Sequence, residues 1–291
     1  MKDRTRIVFL GTSAFAVPSL KALAADPAFD VQLVITQPDK PAGRKQELTG
    51  PPVKVAAMEL AIPVQQPENI NAVPVTTYPL SGRPDILVVV SYGQILKEDI
   101  LAWPKVAPVN VHASLLPLLR GASPLQHSIL LGFGESGVTV QRIVKELDAG
   151  PVLAQEKITL DSRETFTTLH DKLASIGAAL LVQTLKNPLR EAEQDHTKKT
   201  VCKKLSKEDG IADPKTMTAE KIDRMVRALT PWPGVQWNGC KILGTTLQEN
   251  VHGFPLPCAD GTLLYVTQIQ PAGGRPMDGA SFLRGRPDAL R

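Results

Sequence analysis

The sequence predicts an α/β protein with a doubly wound, mostly parallel sheet, followed by a smaller β-rich domain. Residues 6–24 have the pattern of a strand, a turn and a helix, and strands alternate with helices through residue 185. Residues 86–90 form a continuous apolar run, which is typical of a strand buried on both faces. Beyond residue 207, short apolar runs are separated by Gly, Pro and Asp turns, which indicates a second, β-rich unit.

The elements follow from local pattern in chain order. Gly11, Thr12 and Ser13 break the first strand, predicted at residues 6–10, and a helix is predicted at 15–24. Further strands of the first domain are predicted at 31–36, 86–90, 109–112, 137–144 and 152–158. Its further helices are predicted at 53–60, 95–101 and 165–185. The second domain is predicted to contain a helix at 218–229 and strands at 241–247 and 263–269.

The length of 291 residues favours two domains. Residues 187–206 are polar and charge-dense and lack apolar periodicity, which is typical of a linker that runs over a surface. We therefore predict a first domain over 1–186, a linker over 187–206 and a C-terminal domain over 207–291.

The composition indicates a globular protein of the reducing cytosol. It is 43% hydrophobic and 21% charged, with no apolar run near the roughly 18 residues that a membrane span needs. The apolar run from Ile7 is broken too early to serve as a signal peptide. Three cysteines without Cys-x-x-Cys spacing, and histidines without ligand spacing, predict neither a disulfide framework nor a metal site.

The basic excess lies in the C-terminal third. Residues 195–291 contain 14 Lys and Arg against 10 Asp and Glu, whereas residues 1–194 contain 19 of each. A basic domain beside a neutral body favours a polyanionic substrate such as a nucleic acid. An ordinary solvated surface remains an equally good interpretation of charge alone.

The first strand–helix turn does not support a nucleotide cofactor. Residues 11–16 lack the second and third glycines of the dinucleotide fingerprint. The Gly-x-x-x-x-Gly-Lys-Ser/Thr pattern that binds ATP phosphates is also absent from the sequence.

Polar side chains from two segments are predicted to meet at the edge of the sheet. Asn110 and His112 share one face of the strand at 109–112 because side chains alternate with period two. Asp148 follows the strand at 137–144, where a loop opens at the same edge, and can reach His112 in space. A carboxylate beside an imidazole favours the charged imidazolium.

An amide, an imidazolium and a carboxylate suit acyl transfer to an amine. The reaction passes through a tetrahedral intermediate with a negative oxygen, which an Asn amide and a His imidazolium can stabilise. The carboxylate can take the proton that the attacking nitrogen loses, directly or through water. The incoming amine is itself the nucleophile, so the protein need not provide one.

Several motifs resemble the 10-formyltetrahydrofolate-dependent formyltransferases. The signature is Asn110-x-His112 with residues 114–117, followed by Leu147-Asp148-x-Gly150. The branch that acts on initiator methionyl-tRNA is matched by further segments, at 6–24, 36–45, 91–96, 204–208 and 231–234. The resemblance covers nearly the whole chain. It implies a formyltransferase-like first domain, a small OB-like C-terminal domain that binds tRNA, and formyl transfer from 10-formyltetrahydrofolate to methionyl-tRNA in translation initiation.

The resemblance also implies roles for individual residues. The catalytic set is Asn110, His112 and Asp148. The implied folate-binding residues are Ser114, Leu115, Leu116, Pro117, Val89, Val90, Tyr92, Gly93 and Ile95. The implied tRNA-binding residues are Lys40, Arg44 and Lys45, in a cationic loop punctuated by Pro and Gly. The protein is expected to act as a cytosolic monomer without a metal.

Other interpretations stay open at this point. Arg120 either orients the Asn-His loop, contacts substrate or has a purely structural role, and Glu146 brings a second carboxylate near Asp148. A formyltransferase of the same fold acting on a sugar-nucleotide amine would use the same chemistry. An inactive tRNA- or folate-binding module and a hydrolase that releases formate from the folate are further alternatives.

Overall fold

The structure is a computed structural model that describes residues 4–43, 47–259 and 261–290. The strands are β1 Thr5–Gly11, β2 Phe29–Ile35, β3 Lys40–Ala42, β4 Glu47–Thr49, β5 Val64–Gln65, β6 Ile86–Val90, β7 Ala107–His112, β8 Arg120–Gly121, β9 Glu135–Arg142, β10 Val152–Thr159, β11 Val201–Cys202, β12 Val235–Trp237, β13 Cys240–Thr246, β14 Phe254–Pro257, β15 Leu263–Gln270 and β16 Met277–Asp278. The α-helices are α1 Val17–Ala25, α2 Pro52–Glu59, α3 Glu98–Leu101, α4 Pro124–Leu130, α5 Phe166–Leu185, α6 Ala219–Leu229 and α7 Gly279–Gly285.

The described residues form two compact units that interleave along the sequence. The described residues within 1–121, 136–158 and 170–201 form the first unit, and those within 122–135, 159–169 and 202–291 form the second. Two segments of the predicted first domain therefore group with the C-terminal residues. The linear division at residues 186 and 207 stays a prediction.

A seven-stranded sheet forms the first unit, in the order β10-β9-β7-β6-β1-β2-β5. Strands β5, β2, β1, β6 and β7 pair in parallel, and β9 joins β7 antiparallel. All five residues of β6 are buried, as a central parallel strand requires. The predicted mostly parallel sheet is confirmed, and the carboxyl ends of β6 and β7 lie side by side.

A five-stranded sheet and α6 form the core of the second unit. The strand order is β12-β13-β15-β14, with β16 on β15, and the pairs are antiparallel. The helix α6 begins after Thr218, whose hydroxyl accepts a hydrogen bond from the Lys221 amide at 3.1 Å. It buries Ile222, Met225 and Leu229, and it contacts β13 and β15. The predicted β-rich C-terminal domain is confirmed as a sheet-rich unit.

Two predicted segments differ from the structure. The helix expected at 95–101 begins only at Glu98, because Asn71 donates to the Ile95 carbonyl and accepts from the Lys97 amide, both at 2.8 Å. The expected surface course of 187–206 is wrong at Gln194, which is only 5% exposed. This difference bears directly on the site.

None of the helices in the described residues is long and apolar enough to cross a membrane.

Candidate active site

A cavity of about 220 Å³ opens at the carboxyl ends of β6 and β7. Its apolar wall consists of Val89, Ile95, Leu96, Ile143, Val144 and Leu147. Its polar lining consists of Gln94, Asn110, Gln141, Lys145 and Asp148. An apolar pocket with a few convergent polar groups is typical of a small-molecule site.

Strand β7 carries two of the predicted catalytic side chains. Asn110 lines the cavity, and His112, two residues along the same face, is 7% exposed. In the antiparallel pair with β9, Asn110 lies opposite Gln141 and His112 lies opposite Thr139. The register of β9 therefore places the Gln141 amide beside Asn110 at the cavity.

The His112 ring lies between two acceptors. Its Nε2 is 2.9 Å from the Leu119 carbonyl oxygen, which can only accept, so Nε2 carries a proton. Its Nδ1 is 3.6 Å from Asp148 Oδ2. The Asp148 carboxylate therefore faces the second nitrogen of the ring.

Asp148 is held on both carboxylate oxygens. Oδ1 accepts a hydrogen bond from Gln141 Nε2 at 3.0 Å, and Oδ2 accepts one from the Gly121 amide at 2.8 Å. The side chain is 11% exposed, and the backbone φ is +51°, in the left-handed region that most residues avoid. The structure therefore brings Asp148 and His112 together at the cavity that Asn110 lines.

A further layer of polar residues contacts the Asp148 loop. Gln194 donates hydrogen bonds to the Asp148 carbonyl at 2.9 Å and to the Gly150 carbonyl at 2.6 Å. Arg120, 3% exposed, donates to Gln194 Oε1 through Nε at 3.1 Å and Nη2 at 2.6 Å. Sequence reasoning missed Gln194, because a polar residue in a polar segment carries no local signal that it is buried.

Comparison with known proteins identifies the family. The Formyl transferase model matches residues 5–185, and the Formyl transferase, C-terminal domain model matches residues 204–287. This chain belongs to the formyl transferase family. The first match contains Asn110, His112 and Asp148, and the second contains the described sheet from β12 to β16.

Relatives of this formyl transferase cover nearly its whole length. The methionyl-tRNA formyltransferase of Roseiflexus sp. (strain RS-1) is 42% identical over 96% of this chain and 92% of its own. That of Bacillus subtilis (strain 168) is 37% identical over 97% of this chain and 95% of its own. A solved N-formyltransferase from Helicobacter canadensis, in complex with folinic acid and dTDP-3-aminofucose, aligns with a TM-score of 0.68. It is 20% identical over 91% of this chain and 99% of its own, which shows the shared fold alone.

The residues of β6 and the following loop that are predicted to bind folate differ from one another in their surroundings in this formyl transferase. Val89 and Ile95 line the cavity, and Ile95 is 82% exposed. Val90 is fully buried in the sheet, Tyr92 is 2% exposed within the apolar core, and Gly93 is exposed with φ +89°. Burial raises the pKa of the Tyr92 hydroxyl above its usual range.

The residues expected on the folate after β7 have internal partners. Thr139 Oγ1 donates to the Ser114 carbonyl at 2.7 Å and accepts from the Leu116 amide at 3.1 Å. The Pro117 carbonyl accepts from the Thr200 amide at 3.3 Å, and Leu115 packs against Gly137. These contacts fix the path of 114–117 directly after His112. Contact of these residues with folate stays a prediction.

The expected tRNA loop lies on the β3–β4 hairpin. Lys40 is the first residue of β3 and is exposed, whereas Arg44 and Lys45 lie outside the described residues. At the base, Gln66 donates to Asp39 at 2.7 Å and Lys54 binds the same carboxylate at 2.6 Å. Hydrogen bonds from Gln66 and Lys54 lower the pKa of Asp39, so this ion pair fixes the hairpin base at neutral pH.

Among the described residues, no group of three or more His, Cys, Asp or Glu side chains is placed to hold a metal ion.

Proposed function

We propose that this chain transfers the formyl group of 10-formyltetrahydrofolate to the amino group of initiator methionyl-tRNA. The relatives named methionyl-tRNA formyltransferase, at 37–42% identity over about the whole chain, support this acceptor. The contact of His112 with Asp148 beside a cavity lined by Asn110 is the observation that carries the chemistry. The sequence expectation of formyl transfer thus agrees with the relatives.

The cavity fits the pterin end of a folate. Its volume of about 220 Å³ and its apolar wall suit one flat ring system, and Asn110, Gln141 and Asp148 make part of its lining polar. Ile95 and Leu147 are 82% and 63% exposed at the same cavity, and contact with a ligand would cover apolar surface that now faces water. When bound, the folate supplies the formyl carbon that the amine attacks.

The chain's own residues then stabilise charge and move a proton. In this mechanism, Asn110 donates a hydrogen bond to the formyl oxygen as it gains negative charge, and His112 stabilises the same charge through Nδ1, because its Nε2 proton is bonded to the Leu119 carbonyl. The Leu119 carbonyl fixes the His112 ring, and Asp148 holds the imidazolium charge. Asp148 accepts the proton that the attacking nitrogen loses, directly or through water, and this proton then passes to N10 of the departing tetrahydrofolate as the bond between N10 and the formyl carbon breaks. Hydrogen bonds from Gln141 and Gly121 keep the carboxylate in position for both tasks.

The tRNA is proposed to contact the exposed hairpin and the basic C-terminal third. Lys40, Arg44 and Lys45 place three cations within six residues of a loop, and residues 195–291 carry four more Lys and Arg than Asp and Glu. These charges favour phosphate contacts. We further propose that the protein acts as a monomer in the cytosol. Light scattering that gives a mass of two or more chains would contradict the monomer.

A formyl-transfer assay tests the function. Purified protein is incubated with 10-formyltetrahydrofolate and with charged initiator methionyl-tRNA, a dTDP-linked amino sugar, or no acceptor. We expect formylated methionyl-tRNA only, and loss of the product with His112→Ala. Formylation of the sugar alone would refute the tRNA acceptor. Formate release without an acceptor at the same rate would instead identify a hydrolase.

A further inference from the structure

We propose that Gln194, oriented by Arg120, is a positioning residue that holds the Asp148 carboxylate in place by binding the backbone of its loop. This inference rests on the proposed formyl transfer. It assigns a role in that reaction to a residue from the segment between the two matched family regions, 5–185 and 204–287.

The Asp148 backbone needs external support. Its φ of +51° is sterically unfavourable for a residue with a Cβ, although Asp tolerates it better than most. Such a conformation persists only where the surroundings fix it. Because φ and ψ of Asp148 set the direction of its side chain, any relaxation would turn the carboxylate away from His112.

Gln194 supplies that support on both sides of the loop. Its Nε2 donates to the Asp148 carbonyl at 2.9 Å and to the Gly150 carbonyl at 2.6 Å, so its two protons have one acceptor each. The Gln194 side chain is 5% exposed, so water does not compete for these bonds. Gln141 Oε1, at 3.4 Å from the same Nε2, makes a weaker third contact.

Arg120 fixes which way the Gln194 amide faces. Its Nε and Nη2 both donate to Gln194 Oε1, at 3.1 and 2.6 Å, and these charge-assisted bonds exclude the flipped amide. Nη2 also lies 3.0 Å from His196 Nδ1. Nη1 is buried without a hydrogen-bond partner among the described residues, and it lies 3.9 Å from Glu146 Oε1. The second carboxylate near the site therefore faces Arg120.

Hydrogen bonds thus link strand β8, the Gln194 side chain and the Asp148 loop, and these links position the Asp148 carboxylate. Gly121, next to Arg120, donates its amide to Asp148 Oδ2 at 2.8 Å. The same short strand therefore contacts the Asp148 carboxylate directly and orients the side chain that holds the Asp148 backbone. If Gln194 only attached residues 187–201 to the first unit, its substitution would lower the stability. Any effect on the rate would then not depend on the Asp148 carboxylate.

Substitution Q194E isolates the positioning role. The Glu side chain keeps the oxygen that Arg120 binds, has nearly the same shape, and replaces both donors with an acceptor facing two carbonyl oxygens. We expect kcat for formylation to fall roughly 10- to 100-fold, while the KM values for folate and methionyl-tRNA change less than about 2-fold. Steady-state kinetics on protein confirmed as folded by circular dichroism give these values.

A double-mutant cycle with D148N separates positioning from a structural role. If Gln194 acts through the Asp148 carboxylate, Q194E should lower the rate of D148N by less than about 2-fold. An equal loss in both backgrounds, or no loss in either, would overturn the inference. If Q194E does not fold, R120K, which loses the paired donors to Gln194, is carried through the same cycle. Wild-type protein without formyl transfer would refute the proposed function instead.

Discussion

Gly150→Ala should displace the Asp148 loop by a distance that the structure defines. A Cβ on Gly150 would lie 1.9 Å from the Arg142 carbonyl oxygen and 3.0 Å from its carbon, both backbone atoms that cannot turn away. Relief requires the loop to move by at least about 1 Å, which would stretch the bonds from Gln141 and Gly121 beyond hydrogen-bond range. A misplacement of about 1 Å costs on the order of 100-fold in rate. We therefore expect kcat to fall about 100-fold.

The assay is steady-state formylation of methionyl-tRNA, with thermal unfolding measured on the same samples. Overpacking at this site should also lower the free energy of unfolding by about 1–3 kcal/mol. Gly134→Ala is the matched control, because a Cβ at Gly134 meets nothing within 4 Å. The control should keep wild-type kcat. A Gly150→Ala enzyme with wild-type kcat would refute the view that loop position limits catalysis.

Three further predictions concern carboxylates. Asp148→Asn tolerates the same backbone φ but removes the charge beside His112, so kcat should fall at least about 100-fold in the formylation assay, with KM nearly unchanged. Arg6 hydrogen-bonds Asp85 and lowers the pKa of the Asp85 carboxyl. The ionised carboxyl therefore stabilises the fold at pH values above the ordinary Asp pKa of about 3.9, and this stabilisation is lost as the pH falls through the folded-state pKa. In urea titrations, Asp85→Asn should therefore lose up to about 1 kcal/mol at pH 7, and this difference from wild type should disappear as the pH falls below the folded-state pKa of Asp85. Asp223, 1% exposed, binds Arg163 at 2.8 Å, and Asp223→Ala should cost about 3 kcal/mol of unfolding free energy, measured by the same titrations.

The sequence predicts the main sheet well because long buried strands have a strong pattern. Strand β6 consists of five apolar residues, and the structure gives it the predicted bounds. The elements that were not predicted are short or irregular. Strands β12 and β16 have three and two residues, too few to display a period of two, and β14 has Pro at two of its four positions. Their pairing with β13 and β15 is set by tertiary contacts.

The sequence predicts which residues form the centre of the site but not which residues hold them in position. Alternation along β7 puts Asn110 and His112 on one face, and the sheet edge brings Asp148 within 3.6 Å of His112. Arg120 was left open between three roles, and Gln194 lies in a segment whose polarity indicated exposure. Burial of a polar side chain depends on partners remote in sequence, here 74 residues apart for Arg120 and Gln194, so no local pattern could predict it.

The hydrogen bonds of Asp148 and His112 also indicate which kinetic constant depends on the supporting residues. Both oxygens of Asp148 and its carbonyl are bonded within the protein, and the His112 ring is fixed by the Leu119 carbonyl. None of these bonds requires a bound substrate. The free energy for ordering the charged groups is therefore supplied during folding and not during catalysis. Since the apolar wall of the cavity is formed by other side chains, loss of this support should slow the chemical step and leave substrate affinity largely intact.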